Sequence, residues 1–584
     1  MVSYSERPWI NAYDRFVPKT LEPYPETTLP SFLVQAAEQT PNHIALVTST
    51  RLPSVLGRLG RLHTQMTYAE LNRASDAMAH ALVEMGLQKG EAVAIIMPNS
   101  VAFVVSFYAV LKAGGIVAAV NPTYPDPKMA HQINDSRARF VICMSLFYEQ
   151  VQRLRTQTGI QQVIVAQYKQ YLQGFARFLF SLTREKKDGH YVEQLNPQDR
   201  WFHDLLEQHD GKKANVAISH EDMALFQYTG GTTGVAKAAA SKHKALVANT
   251  LQCKAYLGQT SDQPDSFLGA IPMFHVFGMV AVLSFAVGLG APIYLVPNAR
   301  DITDVLDTID TFKPTLFMGV PALFNAINNR KDVQEGKYNL RSIRACISGS
   351  APLPPAVKRE FERLSGGVIM EGFGMSEAPT ATHCNPLLGE NRVGSIGLPF
   401  PDMDMRIVSL ENDEQDVPIG EIGELVMAGP ILMERYHNMP NETDKAMRLR
   451  DGKRWFYTGD IGRMDQDGYF YIVDRKKDMA LIGGFNVYPS MVEKALAEHP
   501  DIAEVGVAAI PHPDKPGLET LKAWIVIKAE HATPSSQQII DFATQRLADY
   551  EVPRRIEFVN ELPKTSVGKT LRRELIEMER KKRA

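Results

Sequence analysis

The chain has 584 residues, of which 45% are hydrophobic and 22% are charged, and its formal net charge is −3. This length implies two or more domains, and the near balance of charge argues against a protein that binds nucleic acid in bulk. The four cysteines form no CxxC pair, which argues against a zinc site and a disulfide scaffold and is typical of a cytoplasmic protein.

Apolar strands and helices alternate from about residue 91 onward. Glu91–Met97 is a predicted strand, a helix follows and ends at Gly114–Gly115, and Ile116–Val120 is the next strand. Similar apolar runs recur as FVICM, QVIVA, PIYLV, PTLFMGV and RACISGS. Fully apolar strands separated by helices predict a mostly parallel α/β sheet that is buried on both faces.

Residues Gln167 to Lys187 stand apart, because aromatic and aliphatic side chains alternate with lysine and arginine and only one acid is present. A basic amphipathic helix of this kind predicts contact with a membrane surface. The alternative is a surface helix packed on its own domain.

A loop rich in glycine and threonine comes next. Thr229, Gly230, Gly231, Thr232, Thr233 and Gly234 precede Lys237, after an apolar strand and before a helix-compatible segment. Backbone N–H groups, hydroxyls and one lysine together suit a polyphosphate. A Walker loop is excluded because Val235 and Ala236 separate the last glycine from the lysine, and an ordinary surface turn remains the alternative.

Residues Val276 to Val296 carry no charge over 21 positions, which is long enough to cross a membrane. Internal glycines and Pro292 divide the run into a helix-like half and a strand-like half. We therefore predict a buried helix followed by a buried strand.

The character of the sequence changes after about residue 395, where shorter strands and polar turns predict a β-rich subdomain over about 395–474. From 475 to 584 the pattern predicts a compact α+β domain that ends in a basic helix fraying into solvent. The predicted fold class is thus α/β: a large N-terminal domain over 1–474 with buried, mostly parallel sheets and the β-rich subdomain, and a small C-terminal domain over 475–584.

Four further motifs follow the loop in order: GFGMSE (372–377), YTGD (457–460), DRKKD (474–478) and PKTSVGK (563–569). With the loop, this set resembles the adenylate-forming superfamily over about residues 30 to 575. The segments RPWINAY, LKAGGIVAAVNPTY, PMFHVFGM and DRKKDMALIGGFNVYPSMVE are most similar to bacterial long-chain fatty-acid–CoA ligases. The resemblance implies that ATP and a fatty acid give an acyl-adenylate and that CoA then displaces AMP.

The resemblance also assigns residues to the phosphates. The 229–234 loop and Lys237 would hold the β- and γ-phosphates, Ser376 would bond the α-phosphate, and Glu377 would bind Mg²⁺. Lys569 would reach the α-phosphate and the attacking carboxylate, which makes Lys569, Glu377, Ser376 and Lys237 the expected catalytic set. From the sequence alone, Glu377 could instead be an acid in the first turn of a helix.

The nucleoside would lie on further motif residues. Phe373, in the segment Glu371-Gly372-Phe373, would stack on adenine, and Gly349, Ser350 and Ala351 would wall the base. Asp460 would bind the ribose hydroxyls with help from Arg475, although Asp460 alone could be a turn residue before a strand.

The remaining assignments concern the acyl group, CoA and domain motion. His275 and the segment Gly319-Val320-Pro321 would line the acyl site, with a core histidine as the alternative for His275. Gly483 and Gly484 would approach the pantetheine of CoA, and Lys477 would be the hinge of a mobile C-terminal domain. Contact with the inner membrane surface and homodimer formation are left open.

One residue departs from the family pattern, and three alternative functions are left open. Ala238 stands where the family usually has glycine, which would put a methyl group near the phosphates. The rivals are a medium-chain or aryl acid–CoA ligase, a fatty acyl-AMP ligase serving a carrier protein, and a non-catalytic nucleotide- or lipid-binding protein.

Overall fold

A computed structural model describes residues 3–51, 61–172, 174–229, 236–257, 264–482, 485–512, 518–529, 531–564 and 570–583. The strands in this part of the chain are β1 (Ile44–Arg51), β2 (Arg61–Thr67), β3 (Ala92–Ile96), β4 (Ile116–Ala119), β5 (Phe140–Met144), β6 (Gln162–Ala166), β7 (Arg200–Trp201), β8 (Met223–Thr229), β9 (Lys237–Lys242), β10 (Phe267–Gly269), β11 (Ile293–Leu295), β12 (Leu316–Gly319), β13 (Ala345–Ser348), β14 (Val368–Met375), β15 (Ala378–Cys384), β16 (Leu398–Pro399), β17 (Asp404–Val408), β18 (Gly423–Ala428), β19 (Arg435–Tyr436), β20 (Met447–Arg450), β21 (Lys453–Met464), β22 (Phe470–Arg475), β23 (Ala480–Ile482), β24 (Phe485–Val487), β25 (Ile502–Pro511), β26 (Glu519–Ile527) and β27 (Arg555–Phe558).

The helices in the same part of the chain are α1 (Leu29–Gln39), α2 (Tyr68–Glu84), α3 (Val101–Lys112), α4 (Asp126–Ser136), α5 (Tyr148–Arg155), α6 (Gly174–Thr183), α7 (Phe202–Gln208), α8 (His243–Leu257), α9 (Val276–Gly278), α10 (Phe285–Leu289), α11 (Ile302–Phe312), α12 (Pro321–Asn328), α13 (Lys331–Gln334), α14 (Pro355–Ser365), α15 (Pro440–Ala446), α16 (Pro489–Leu496), α17 (Ser536–Thr544) and α18 (Arg572–Arg583).

Two large sheets form the N-terminal part. One has the order β19-β9-β8-β4-β3-β5-β6-β7, and the other has the order β16-β15-β14-β13-β12-β10-β11-β1-β2. Both have a parallel centre, seen where β3 pairs with β4 and β5 and where β12 pairs with β13. Antiparallel strands lie at both edges of the nine-stranded sheet and at the β19 edge of the eight-stranded sheet, whereas β7 at its other edge is parallel to β6. The prediction of buried, mostly parallel sheets is confirmed.

Helices fill the space between the two sheets. Residues Val101 to Leu111 of α3 are all buried, and they share one apolar core with Val93 of β3 and Met370 of β14. This explains why the sequence of α3 is apolar on every side rather than along one stripe.

The uncharged run at 276–296 is a buried helix followed by a buried strand, as predicted. α9 continues through a π-helical stretch at Met279–Ser284 into α10, and β11 lies inside the nine-stranded sheet. Within the described ranges, no helix has both the length and the apolar character needed to cross a bilayer.

The later part of the chain forms smaller sheets. β17, β18, β21, β20 and β22 make a five-stranded antiparallel sheet, whereas β25, β26 and β27 make a three-stranded sheet covered by helices. α18 does not fray along its length: Leu575 is fully buried, and Glu579 forms an ion pair with Lys522 at 2.5 Å. The predicted fraying is wrong because these two side chains fix the helix to the sheet.

Candidate active site

The loop that was predicted to bind phosphates lies between two antiparallel strands. β8 ends at Thr229 and β9 begins at Lys237, and these two residues are paired. The expected order of strand, loop and helix is therefore wrong, because β9 separates the loop from α8. Gly230, Gly231, Thr232, Thr233 and Gly234 lie outside the described residues.

The alanines after Lys237 are core residues of β9. Ala238, Ala239 and Ala240 are fully buried, and Ala238 pairs with Tyr228. The methyl group of Ala238 belongs to the same apolar cluster as Tyr228. The side chain of Ala238 therefore faces the apolar core, and its closeness to the phosphates stays a prediction because residues 230–235 lie outside the described part of the chain.

Lys237 lies beside two residues that the sequence motifs did not indicate. Its Nζ forms an ion pair with Glu442 of α15 and lies 5.2 Å from the centre of the Tyr436 ring. Hydrogen bonds from Lys237 and Lys445 lower the pKa of Glu442 to about 2. Lys237 is thus held at the end of the loop by charge and by an aromatic face.

Glu377 lies in the turn between β14 and β15, so the alternative of a helical position is excluded. Its Oε1 accepts a hydrogen bond from the Tyr436 hydroxyl at 2.8 Å. Burial raises the pKa of the Glu377 carboxyl, and the hydrogen bond from Tyr436 opposes this rise. Tyr436 therefore connects Glu377 to Lys237, and Ser376 is the partly buried residue directly before Glu377.

The end of β14, just before the turn, requires glycine at position 374. A Cβ atom at Gly374 would lie 1.5 Å from the carbonyl oxygen of Thr380, so any side chain would clash with the backbone. This close approach fixes the path of the chain just before Ser376 and Glu377.

Asp460, which is buried, and Arg475, which is partly exposed, form an ion pair across two neighbouring strands. They are register partners in β21 and β22, and Arg475 Nε lies 2.9 Å from Asp460 Oδ1. Asp460 is only 2% exposed, yet its Oδ2 has no hydrogen-bond partner among the described residues. The position within β21 excludes a turn residue, and Oδ2 is a buried acceptor without a hydrogen-bond partner among the described residues.

The charged residues of these motifs act on one another. Arg475 lowers and Asp460 raises the pKa of Glu377, although burial is the largest influence. The pKa of Lys477 is lowered, first by burial and then by Arg475. The structure therefore brings Glu377, Asp460, Arg475 and Lys477 into one electrostatic environment.

The residues expected around adenine lie at the ends of β13 and β14. Gly349 is buried, with its Cβ position 3.3 Å from the Phe277 ring, whereas Ser350 is exposed with φ of 75° and Ala351 is partly buried. Gly372 and Phe373 pair with Cys384 and His383 on β15. These ends of adjacent strands form one continuous edge.

The side chain of Glu371 has a structural role at this edge. Its carboxylate accepts hydrogen bonds from the backbone N–H of Gly394 at 2.9 Å and of Leu353 at 3.2 Å. Burial raises the pKa of Glu371. The carboxylate thereby fixes the backbone at Leu353 and Gly394, close to the residues that were predicted to surround adenine.

The expected acyl-site residues lie on neighbouring elements. His275 caps α9, where its Nδ1 accepts the N–H of Phe277 at 3.3 Å, and burial lowers its pKa to about 4. A neutral imidazole that accepts at Nδ1 carries its proton on Nε2. Gly319, Val320 and Pro321 connect β12 to α12, and the Gly319 carbonyl accepts the N–H of Gly349 at 3.2 Å.

Three other expected site residues, Gly483, Gly484 and Lys569, lie outside the described residues. Two residues that the sequence motifs missed are Tyr436 and Glu442, which are 59 and 205 positions from their partners Glu377 and Lys237. No local pattern could have found them, because their role depends on contacts across the sheet formed by β9 and β19.

Two models of known protein families match this chain. The model of the AMP-binding enzyme family matches residues 33–437, and the model of the AMP-binding enzyme C-terminal domain matches residues 491–569. A long-chain-fatty-acid–CoA ligase of Bacillus subtilis is 38% identical over 577 residues, covering 98% of each chain. The ligase of the same name from Salmonella typhimurium is 34% identical over 576 residues, covering 97% of each chain.

Solved structures of similar fold extend over nearly the whole chain. ATP-bound MatB from Rhodopseudomonas palustris matches with a TM-score of 0.78 and 26% identity, covering 94% of this chain and 99% of that chain. The anthranilate CoA ligase AuaEII with anthranoyl-AMP matches with a TM-score of 0.79 and 27% identity, covering 96% of this chain and 98% of that chain. The fold is thus the large N-terminal domain and small C-terminal domain of adenylate-forming enzymes, and this chain belongs to the AMP-binding enzyme family.

Proposed function

We propose that the protein activates long-chain fatty acids: ATP and a fatty acid give an acyl-adenylate and pyrophosphate, and CoA then displaces AMP. The observation that carries the proposal is the buried Asp460, whose unpaired Oδ2 lies within the charged group that also holds Glu377 and Arg475. Full-length similarity to long-chain-fatty-acid–CoA ligases supports the choice of substrate.

The first step needs positioning and charge rather than a base, because a carboxylate is ionised near neutral pH. Lys237 and the loop from Thr229 to Gly234 bind the β- and γ-phosphates, and Ser376 bonds the α-phosphate. Glu377 is a hard oxygen donor oriented by Tyr436, which fits Mg²⁺. When bound there, Mg²⁺ supplies positive charge to the phosphate oxygens.

The nucleoside is held by the strand ends. Asp460 Oδ2 accepts a ribose hydroxyl, and Arg475 keeps the carboxylate in place through Oδ1. Phe373 stacks on adenine, while Gly349, Ser350, Ala351 and the backbone of Glu371 and Gly372 form the wall of the pocket.

The second step requires a different arrangement of the C-terminal domain. We place the boundary after Asp474 and the hinge at Lys477, so that Lys569 serves the adenylation step and Gly483 and Gly484 serve CoA. Lys477 suits this role because it directly follows Lys476, whose backbone and side chain are fixed to Gly459 and Glu424 at 2.8 Å each. A fixed residue beside the pivot confines rotation to a few bonds.

The acyl group lies along Gly319, Val320 and Pro321, with the Nε2–H of His275 available to the carboxylate. This assignment also fits a medium-chain or aryl acid. A fatty acyl-AMP ligase would share the first step and differ in the acceptor.

The assay is AMP release from ATP and Mg²⁺ with saturated acids from acetate to stearate, with and without CoA. The proposal predicts CoA-dependent turnover that is greatest for long chains. A maximum at short or aryl acids would mean that the same mechanism acts on another class of substrate. Pyrophosphate exchange without a CoA-dependent product would indicate a ligase that serves a carrier protein.

We further propose that the enzyme is cytoplasmic and contacts the membrane through residues 167–187. Phe178 and Leu182 of α6 are 61% and 68% exposed, and they lie four positions apart on one face. Leu172 and Phe180 pack together beneath, which holds α6 on the protein while these two side chains stay outside. Apolar side chains beside lysine and arginine suit an anionic lipid surface.

Sedimentation with anionic vesicles tests this contact. Phe178→Ser with Leu182→Ser should reduce the bound fraction several-fold, and Leu388→Ser, at another exposed leucine, is the control. Unchanged binding of the double variant would overturn the proposed contact without affecting the proposed reaction.

A further inference from the structure

Three metal-ligating side chains meet outside the adenylate site, where α2 packs against α7. His80 and Glu84 are one turn apart in the last part of α2, and His209 directly follows α7. His80 is partly buried, Glu84 is exposed and His209 is buried. None of the residues assigned above to ATP, CoA or the acyl group lies on these two helices.

The three donor atoms form a compact triangle. His80 Nδ1 and His209 Nδ1 are 3.1 Å apart, and Glu84 Oε2 lies 3.6 Å from each of them. A cation about 2.1 Å from each atom would see angles of about 95° between the nitrogens and about 118° between nitrogen and oxygen. These angles are close to tetrahedral, and the cation would lie about 0.7 Å outside the plane of the donors, leaving one position open.

Hydrogen bonds account for the contact between the two histidines but not for the position of Glu84. The two Nδ1 atoms can share one proton at 3.1 Å, but 3.6 Å is too long for a hydrogen bond from either imidazole to Glu84. The carboxylate oxygen is therefore equidistant from both nitrogens without being bonded to either one.

We propose that His80, Glu84 and His209 bind one divalent cation of the zinc type, which links the end of α2 to the end of α7. Two imidazoles and one carboxylate in tetrahedral spacing suit Zn²⁺, whereas Mg²⁺ prefers oxygen donors in octahedral geometry. The absence of paired cysteines does not oppose the site, because no thiolate takes part. With both helices distant in sequence, the cation acts as a structural cross-link.

The test uses the full chain, stripped with EDTA and titrated with Zn²⁺ against a chromophoric chelator in the absence of nucleotide. The wild-type chain should bind one more Zn²⁺ tightly than the double variant His80→Ala with Glu84→Ala. Each single variant should weaken that affinity by more than about a hundredfold, which exceeds the loss of about 10- to 100-fold that is typical of an outer-shell partner. Co²⁺ should give the intense visible bands of four-coordinate geometry in the wild type only.

A matched control comes from a second set of two histidines and one acid. His499 and His531 approach different oxygens of Asp501, at 3.9 and 2.7 Å, so their donor atoms do not converge. His531→Ala should leave Zn²⁺ binding unchanged. Equal Zn²⁺ binding by the wild type and the double variant, or an equal loss in His531→Ala, would overturn the proposal.

Discussion

The two carboxylate oxygens of Asp460 differ in their contacts, and the difference bears on the proposed binding of ribose. Its Oδ1 is fixed by Arg475, while Oδ2 has no partner among the described residues. An unsatisfied buried acceptor costs about 1–3 kcal/mol, and a ribose hydroxyl would remove that cost. If the proposed ribose contact forms, ATP binding would satisfy an acceptor that the folded protein leaves unpaired.

Asp460→Asn should raise the KM for ATP by at least about tenfold, equivalent to about 1.4 kcal/mol, because the amide loses the charge and one acceptor. Steady-state kinetics at saturating fatty acid and CoA would measure it. Asp265→Asn is the control, since Asp265 also pairs with an arginine, Arg344 at 2.7 Å, but lies outside the site. An unchanged KM in Asp460→Asn would contradict the ribose assignment.

Ala238→Gly should lower stability by about 1–2 kcal/mol, through loss of a buried methyl group and added backbone freedom in β9. It should not raise kcat by more than about tenfold, since the methyl group lies in the core. Thermal melting and kcat measure the two effects. Ala239→Gly, in the same buried strand, should show a similar loss, and a large gain in kcat confined to Ala238→Gly would instead place the methyl group at the phosphates.

At the scale of elements, strands that are apolar along their whole length could be predicted, whereas several less apolar strands, β9 among them, were missed. β3, β5 and β6 contain valine and isoleucine, so their composition predicts that they are buried strands. β9 is Lys-Ala-Ala-Ala-Ser-Lys, which has no β-branched or aromatic residue. It is a strand because β8 and β19 pair with it on both sides, and that information lies elsewhere in the chain.

The prediction of site residues was limited in the same way, because it reached only residues that belong to a recognisable motif. Glu377, Asp460 and Arg475 could be assigned because each belongs to a recognisable motif. Tyr436, which contacts both Glu377 and Lys237, could not, because β19 is only two residues long and reaches the site by pairing with β9.

Arg572 at the start of α18 is the main connection between that helix and the proposed hinge. Its guanidinium contacts Asp474 at 2.9 Å, Asp478 at 3.2 Å and Glu493 at 2.7 Å. Asp474 and Asp478 lie on either side of Lys477. The helix therefore fixes the segment through which the C-terminal domain would rotate.

Arg572→Gln should destabilise the C-terminal domain by about 3–5 kcal/mol, because it leaves buried carboxylates without their cation. Limited proteolysis and thermal melting would detect the change. The adjacent Arg573→Gln is the control, since Arg573 is exposed and pairs only with Glu577 among the described residues, so that its loss should cost about 0–1 kcal/mol. Equal protease resistance of the two variants would contradict the anchoring role.

For the whole molecule, buried histidines predict a response to acid. Burial lowers the pKa of His203, His243 and His275 to about 4 and that of His383 to about 3. Since the ordinary value is about 6.5, the unfolded chain binds more protons than the folded chain between about pH 4 and 6.5. Stability is therefore complete above this window and is lost as the pH falls through it.

The melting temperature should accordingly fall between pH 7.5 and pH 5. His243→Gln should reduce the steepness of that fall by about one proton, up to about 1.4 kcal/mol per pH unit. His531→Gln, at a more exposed histidine, should leave it unchanged. A melting temperature that stays constant over this range would show that the histidines do not govern acid unfolding.

The position of β1 in the nine-stranded sheet has a consequence for biosynthesis. β1 and β2 come from the first 67 residues, but the parallel neighbour of β1 is β11, at Ile293–Leu295. During translation the first hairpin leaves the ribosome more than two hundred residues before the strand that completes it. Until then the inner edge of β1 lacks the strand that pairs with it, and an unpaired strand edge is prone to aggregation.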